Sequence, residues 1–203
     1  PAQTQASAPA PASNEKRLDR RADALGMQYL TALWRVDPEG GIAVGKFDAA
    51  ASLTIPDAAT RAKKLAFADE WLDKFRKIDT RQLSPRQRND LALLINKLET
   101  DRWRLTTLRE FEWNPAQYNI AQPLDLIANT EYAAKPQRLR TILKRLDNVP
   151  AYYQAAQATI VNPTREHTQL AIAQAPGTLV VLADLGLAAQ SSILNAQEKA
   201  LFA

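Results

Sequence analysis

Apolar residues recur every three or four positions along most of the chain, which is the spacing of an amphipathic α-helix. From Glu15 onward this spacing forms a stripe that consists of Leu18, Ala22, Leu25, Tyr29, Leu33 and Val36. An alternating pattern typical of a β-strand never extends beyond a few residues. The pattern therefore predicts an all-α protein.

Start and stop signals divide the first half of the chain into helices. Asp37-Pro38 ends the first helix, because the residue before a proline disfavours helical backbone angles, and residues 38–56 are predicted to be an irregular connection. A second helix is predicted over Asp57–Ile78. A third is predicted from Ser84-Pro85 to Phe111, where it would be about 40 Å long. This length predicts an elongated multi-helix bundle or array.

Shorter helices are predicted in the second half of the chain. They are expected over Leu124–Glu131, from Lys135, from Val149, from Asn162-Pro163 to Gln174, and over Leu179–Gln190 after a stop at Pro176-Gly177 and a cap at Thr178. Asn195 and Glu198 have the spacing of a capping box that opens one more helix. Because no stop signal precedes Ala203, we expect the chain to be truncated within this helix and the functional protein to be longer.

Residues 1–14 differ in composition from the remainder, since they contain no charged and no large apolar residue. Such a segment buries too little surface to become ordered, so it is predicted to be a disordered tether before one helical domain over residues 15–203. The chain begins at Pro1, which suggests processing after an export signal. We therefore expect a periplasmic or secreted location.

Composition restricts the chemistry of this chain. It contains no cysteine and a single histidine, His167, so neither a thiolate metal site nor a site with two imidazoles can form from it. We expect no metal and no cofactor on this chain.

Charge and hydropathy narrow the choice of partners. The 26 basic and 22 acidic residues are interspersed, whereas nucleic-acid binders concentrate positive charge on one face. No run approaches eighteen consecutive apolar residues, so no transmembrane segment is predicted. We expect no nucleic acid as a partner.

Candidate binding residues lie where the third helix gives way to a loop. Trp113, Asn114 and Tyr118 stand at this junction, and aromatic side chains in loops often wall a ligand cleft. The alternative is a hydrophobic plug at a helix corner. His167 is a further candidate, either as a capping or core-edge residue or as the base of a metal-free hydrolase.

The densest basic stretch provides two more candidates. Arg138 and Arg145 share one side of a predicted helix and could receive an anionic partner or a carboxylate. The alternative is a solvated helix face.

An ordered series of short motifs resembles the bacterial family called domain of unknown function 885. The matching elements are Tyr29-Leu30, Leu33-Trp34, Asp37-Pro38-Glu39, Gly45, Ile78-Asp79, Leu83-Ser84, Arg88-x-Asp90, Trp113-Asn114-Pro115-x-x-Tyr118, Leu139-Arg140, Leu146, Pro150 to Ala156, Asn162-Pro163 and Ala171-x-x-Gln174. Asn114 stands where the family more usually has Asp. The resemblance covers about residues 20–203.

The resemblance implies that this chain is part of a larger exported protein. Complete family members are several hundred residues longer, largely α-helical and often lipoproteins, and a downstream His-Glu helix and Pro-Gly-His element suggest a zinc-dependent peptidase. None of those metal-binding positions exists in this chain, so zinc is expected only in the missing C-terminal part.

Two functional interpretations follow from these expectations. In the first, the chain is a non-catalytic N-terminal helical subdomain that walls a substrate cleft, with the remainder of the parent polypeptide and a peptide substrate as partners. In the alternative, it is a self-sufficient periplasmic binding or scaffold module without enzymatic activity. Only the first interpretation predicts a large exposed apolar face.

Overall fold

The computed structural model describes the backbone of residues 11–202 and the side chains of residues 15–202. This part of the chain contains nine α-helices and no β-strand, which confirms the all-α prediction. The helices are α1 (Pro11–Val36), α2 (Pro38–Ala43), α3 (Ala58–Arg76), α4 (Pro85–Trp103), α5 (Ala121–Asn129), α6 (Lys135–Leu146), α7 (Val149–Thr159), α8 (Arg165–Gln190) and α9 (Ala196–Ala200). Three short 3₁₀ turns lie at Thr80–Gln82, Glu110–Glu112 and Pro115–Gln117.

Local capping explains where several helices begin. The carboxylate of Asp57 accepts a hydrogen bond of 2.7 Å from the backbone N–H of Thr60 at the start of α3. The hydroxyl of Ser84 accepts one from the backbone N–H of Gln87 at the start of α4. At α9, Asn195 and Glu198 form the predicted capping box. The sequence signals located these three starts correctly.

The predictions for the two chain termini can be compared with the structure only in part. Residues 1–10 of the predicted tether and Ala203, at the predicted truncation, lie outside the described residues. Residues 11–14, which belong to the predicted tether, form the first turn of α1. Proline is accommodated at the first helical position, so Pro11 can open the helix before Glu15.

The predicted third helix is shorter than expected. α4 ends at Trp103, and a wider π-type turn follows at Arg104–Leu108. Arg109 then adopts a left-handed conformation with φ of 49°, which no helix can continue through. Extension of this helix to Phe111 was therefore wrong, and α2 replaces part of the irregular connection predicted over residues 38–56.

The predicted stop at Pro176-Gly177 was also wrong, because α8, which is 26 residues long, continues through it to Gln190. Proline lacks an N–H, so the carbonyl of Ile172 loses its intrahelical partner; since Ile172 is exposed, water can replace that partner. Thr178 does not cap a new helix, and its hydroxyl donates to Oδ1 of Asn119 at 3.1 Å. The helix begins after Thr164 instead of at Asn162-Pro163.

Within the described residues, two separate hydrophobic cores stabilise the elongated bundle. The first core joins α1, α3 and α4 and contains Tyr29, Ala68, Trp71, Leu72, Phe75, Leu83, Leu91 and Leu98. The second core joins α2, α5, α6 and α8 and contains Ile42, Ala50, Leu53, Ile120, Leu124, Ile127, Leu139, Ile142, Leu185, Ala189 and Leu194. At 1.5 Å per residue, α1 and α8 are each about 39 Å long, which extends the bundle along these helices.

Candidate functional site

The segment between α4 and α5 is held by hydrogen bonds from its own aromatic side chains. The indole Nε1 of Trp113 donates to the backbone oxygen of Leu108 at 2.9 Å. The hydroxyl of Tyr118 donates to the backbone oxygen of Phe111 at 2.7 Å. The guanidinium of Arg61, on α3, lies 4.4 Å from the centre of the Phe111 ring. These contacts fix the 109–118 segment as a compact turn.

Asn114 acts within this turn as a capping residue. It is 8% exposed, and its Oδ1 accepts a 3.0 Å hydrogen bond from the backbone N–H of Ala116. Its Nδ2 donates to the carboxylate of Glu110 at 2.7 Å. An aspartate at this position would place two carboxylates against each other, so the amide suits the neighbour that this chain provides.

His167 lies beside this turn, at the start of α8. Its ring packs edge-on against Trp113 with centroids 5.0 Å apart, and its Nδ1 is 2.7 Å from the hydroxyl of Thr164. The backbone N–H of Thr164 donates to the backbone oxygen of Trp113 at 3.0 Å. The structure thus brings His167 and Trp113 together and ties α8 to the turn.

An open groove of about 640 Å³ runs between the Pro115–Gln117 turn, α7 and α8. Tyr118, Tyr153 and Leu179 contribute apolar surface, and Gln157 and Gln174 contribute amides. Among the described residues that line it, none is charged. Burial raises the pKa of both tyrosine hydroxyls, so they remain neutral in the groove at ordinary pH. The groove suits an uncharged, largely apolar ligand segment.

Only part of the predicted junction lines this groove. Tyr118 does, while Trp113, Asn114 and His167 form the support behind the turn. Sequence reasoning did not single out Tyr153, which occupies an ordinary helical position on α7.

A further signal in the sequence could have indicated the α8 wall of the groove. Residues 167–183 contain no Asp, Glu, Lys or Arg. This is unusual for a helix on the surface of a protein.

Arg138 and Arg145 do not belong to the groove. Their interpretation as a solvated helix face was wrong, because Arg138 is 9% and Arg145 1% exposed. Arg138 donates to the backbone oxygens of Ala128 and Thr130 at the end of α5, the latter at 3.0 Å.

The guanidinium of Arg145 does bind a carboxylate, but this carboxylate belongs to Glu39 of the same chain. The guanidinium also donates to the backbone oxygens of Ala50, at 3.3 Å, and Ser52. This arrangement joins α6 to α2 and the following loop. Neither arginine is therefore oriented toward an external anion.

Metal-ligand geometry is absent from the described part of the chain. Within residues 11–202, no group of three or more histidine, aspartate or glutamate side chains is placed to hold a metal ion. The neighbours of His167 are Trp113 and Thr164, and neither provides a second strong ligand for zinc.

Residues 38–202 match the family described as "Bacterial protein of unknown function (DUF885)", and the chain belongs to this family. The match covers the second core, the groove and the α3 and α4 part of the first core, whereas α1 precedes it. It confirms the family resemblance carried by the motifs around Trp113 and Asn162.

The fold also matches a solved structure described as "a putative lipoprotein of unknown function from Shewanella oneidensis". The two chains superpose with a TM-score of 0.85 at 35% sequence identity. The match covers 89% of this chain and 33% of the lipoprotein, so this chain spans about a third of that protein's length. No curated protein matches the sequence.

Proposed function

We propose that this chain is the non-catalytic N-terminal helical subdomain of a longer exported protein, in which the groove beside Tyr118 forms one wall of a cleft for a peptide substrate. The observation that carries the proposal is the groove itself, which is open, uncharged and walled by the turn between α4 and α5. The greater length of the matched lipoprotein supports the existence of further polypeptide that would complete the cleft.

The chemistry of the groove favours a peptide. Apolar side chains of a peptide would contact Tyr153 and Leu179, while the amides of Gln157 and Gln174 can donate to and accept from a peptide backbone. These groups can bind and orient a chain, but none of them is a nucleophile or a base at neutral pH. Bond cleavage would therefore depend on groups outside this subdomain.

The zinc implied by the family resemblance does not fit the described residues. His167 is the chain's one imidazole, and its contacts are an indole and a hydroxyl. No step of a metal-dependent reaction is assigned to this chain. Zinc ligands, in this proposal, belong to the remainder of the parent protein.

An exported location follows from the same proposal. The matched protein is described as "a putative lipoprotein", and this description supports export and lipid anchoring of the complete protein. The periplasm or the cell exterior would then supply the peptide.

Filling the groove tests this function. Ala175 lines the groove from α8 and is exposed, so Ala175→Trp should obstruct it without disturbing a core. Ala92, which is also exposed but lies on α4 outside the groove, provides the control Ala92→Trp. In the complete protein, Ala175→Trp should raise KM for fluorogenic peptides about tenfold, or about 1.4 kcal/mol, with kcat changed much less.

Several results would contradict the proposal. Equal KM values for the two tryptophan variants would show that substrate does not use the groove. Failure of the complete protein to hydrolyse any peptide would show that its substrate is not a peptide. Peptide hydrolysis by the 203-residue chain alone would show that this chain is itself catalytic.

A self-sufficient binding or scaffold module remains the second candidate. The two closed cores and the capped helix ends favour it, because such features allow a chain to fold without help. It predicts that the 203-residue chain binds peptides as tightly as any longer protein does. Fluorescence anisotropy with one labelled peptide compares the two directly.

A further inference from the structure

One side of α8 is both apolar and uncovered. Ile172, Val180 and Leu187 are 68%, 58% and 71% exposed, and with Pro176 and Ala183 they lie on the same side of the helix, which we call the outward face of α8. Leu179, beside this face, is also largely exposed. Charged side chains are absent from the face itself.

The opposite side of α8 is part of the second core. Leu185 and Ala189 are 3% and 0% exposed and pack among α5, α6 and Ile42. α8 is thus apolar around most of its circumference but covered on only one side. A helix of this kind normally lies in the interior of a large protein or in a membrane.

We propose that the outward face of α8 is a docking surface for an apolar segment of the same polypeptide that lies outside residues 1–203. This inference rests on the proposed function, because it requires the longer protein. It identifies which surface the additional polypeptide covers and what chemistry that polypeptide must have. The matched lipoprotein, of which this chain spans 33%, supplies the argument for such a segment.

A membrane is the less suitable occupant. By length and hydropathy α8 is the one helix within the described residues that could cross a bilayer, with 6% of its most apolar window buried. Crossing would require Leu185 and Ala189 to leave the second core, and Thr178 to give up its hydrogen bond with Asn119. The remaining residues of the second core would then lose their packing contacts with α8.

A second copy of the chain is also a poorer occupant. From Ile172 to Leu187 the outward face is about 22 Å long, and a helix presents a strip about 10 Å wide. That footprint is far below the roughly 800 Å² per partner of a stable dimer. A segment of the same polypeptide needs a smaller contact area to remain bound, because its covalent connection removes most of the entropy cost of association.

The occupant must match two features of this face. Its contacting residues must be apolar to cover Ile172, Val180 and Leu187. It must also bring a hydrogen-bond donor, or leave room for water, near the backbone oxygen of Ile172, because Pro176 provides no N–H to that oxygen.

Thiol accessibility tests the proposal, since the chain contains no cysteine of its own. Ile172→Cys reports on the outward face, and Leu93→Cys on α4 is the matched control, because the native side chains are 68% and 67% exposed. Each variant is made in the 203-residue chain and in the complete protein with any other cysteines replaced by serine. The rate of reaction with a polyethylene-glycol maleimide is measured by the shift in gel mobility.

We expect slower reaction only for the thiol at position 172, and only in the complete protein. In the 203-residue chain both thiols should react at similar rates, whereas in the complete protein the thiol at position 172 should react at least about tenfold more slowly and that at 93 should be unchanged. In addition, Ile172→Lys should lower the melting temperature of the complete protein but not that of the 203-residue chain.

Three results would overturn the inference. Equal rates at both positions in the complete protein would show that nothing covers the face. Protection at position 172 that rises with the concentration of the 203-residue chain would identify a second copy as the occupant. Protection that requires phosphatidylglycerol vesicles would identify a lipid surface.

This test is independent of the groove test. Position 172 does not line the groove, so protection there can fail while Ala175→Trp still raises KM, and the reverse can also occur.

Discussion

Removal of the buried guanidinium in Arg145→Ala should destabilise the protein more than removal of an exposed one. The Arg145 side chain is 1% exposed and donates to the carboxylate of Glu39 and to the backbone oxygens of Ala50 and Ser52. Its loss leaves these acceptors without that donor. Glu39 keeps one hydrogen bond, from the backbone N–H of Thr54 at 3.3 Å.

The size of the effect follows from burial. Removing one partner of a buried ion pair typically costs about 3–5 kcal/mol, because the other charge is left uncompensated. The Glu39 side chain is 31% exposed and can be partly rehydrated, so we expect a value near the lower limit, about 3 kcal/mol. Glu39→Gln should cost less than Arg145→Ala, since the amide oxygen still accepts a hydrogen bond.

Urea unfolding followed by far-ultraviolet circular dichroism measures this difference. The control is Arg140→Ala, which removes an arginine of the same helix whose ion pair with Glu198 lies at the surface. Its unfolding midpoint should barely change. A loss below about 1 kcal/mol for Arg145→Ala, or equal losses for the two variants, would refute the assignment of Arg145 as the link between α6 and α2.

Two further predictions concern the cap of α4 and the tyrosines. Ser84→Ala should cost about 1 kcal/mol in the same unfolding assay, because the N–H of Gln87 loses its acceptor, and an unchanged midpoint would contradict this. Burial raises the pKa of Tyr29 to about 12, so the stability that this neutral phenol contributes is complete below the ordinary pKa of about 10 and is lost as pH rises through about 12. Burial also raises the pKa of Tyr152. Phenolate absorbance should therefore appear at higher pH in the folded than in the urea-unfolded protein; coincident titration curves would show that the hydroxyls are not buried.

Helix starts could be predicted from the sequence because their signals are local. The caps at Asp57, Ser84 and Asn195 each satisfy an N–H within three residues, so their effect does not depend on the tertiary structure. The all-α class followed from apolar spacing for the same reason. These features are specified by neighbours in the chain.

The errors concern residues whose behaviour depends on distant partners. Arg145 looks like a surface residue until Glu39, 106 positions earlier, is placed against it. Pro176 looks like a helix terminator, but the contacts of Leu185 and Ala189 with the second core hold the rest of α8 in line. Long-range packing outweighs local propensity in both cases.

The candidate site was predictable only in part. The aromatic junction identified Tyr118, which lines the groove, because an aromatic residue in a loop is conspicuous in sequence. Tyr153 and Leu179 become groove residues only through the packing of α7 beside α8. No periodicity in the sequence specifies which side of α7 faces that groove.

The division of the interior into two cores has a consequence for sequence divergence. Phe75 in the first core and Ile142 in the second belong to separate clusters of packed side chains, so a change of volume at one does not require a compensating change at the other. Each cluster can accept substitutions through adjustments among its own few helices. A backbone with this organisation can persist while most side chains are replaced, as it does between this chain and a relative that shares 35% of its residues.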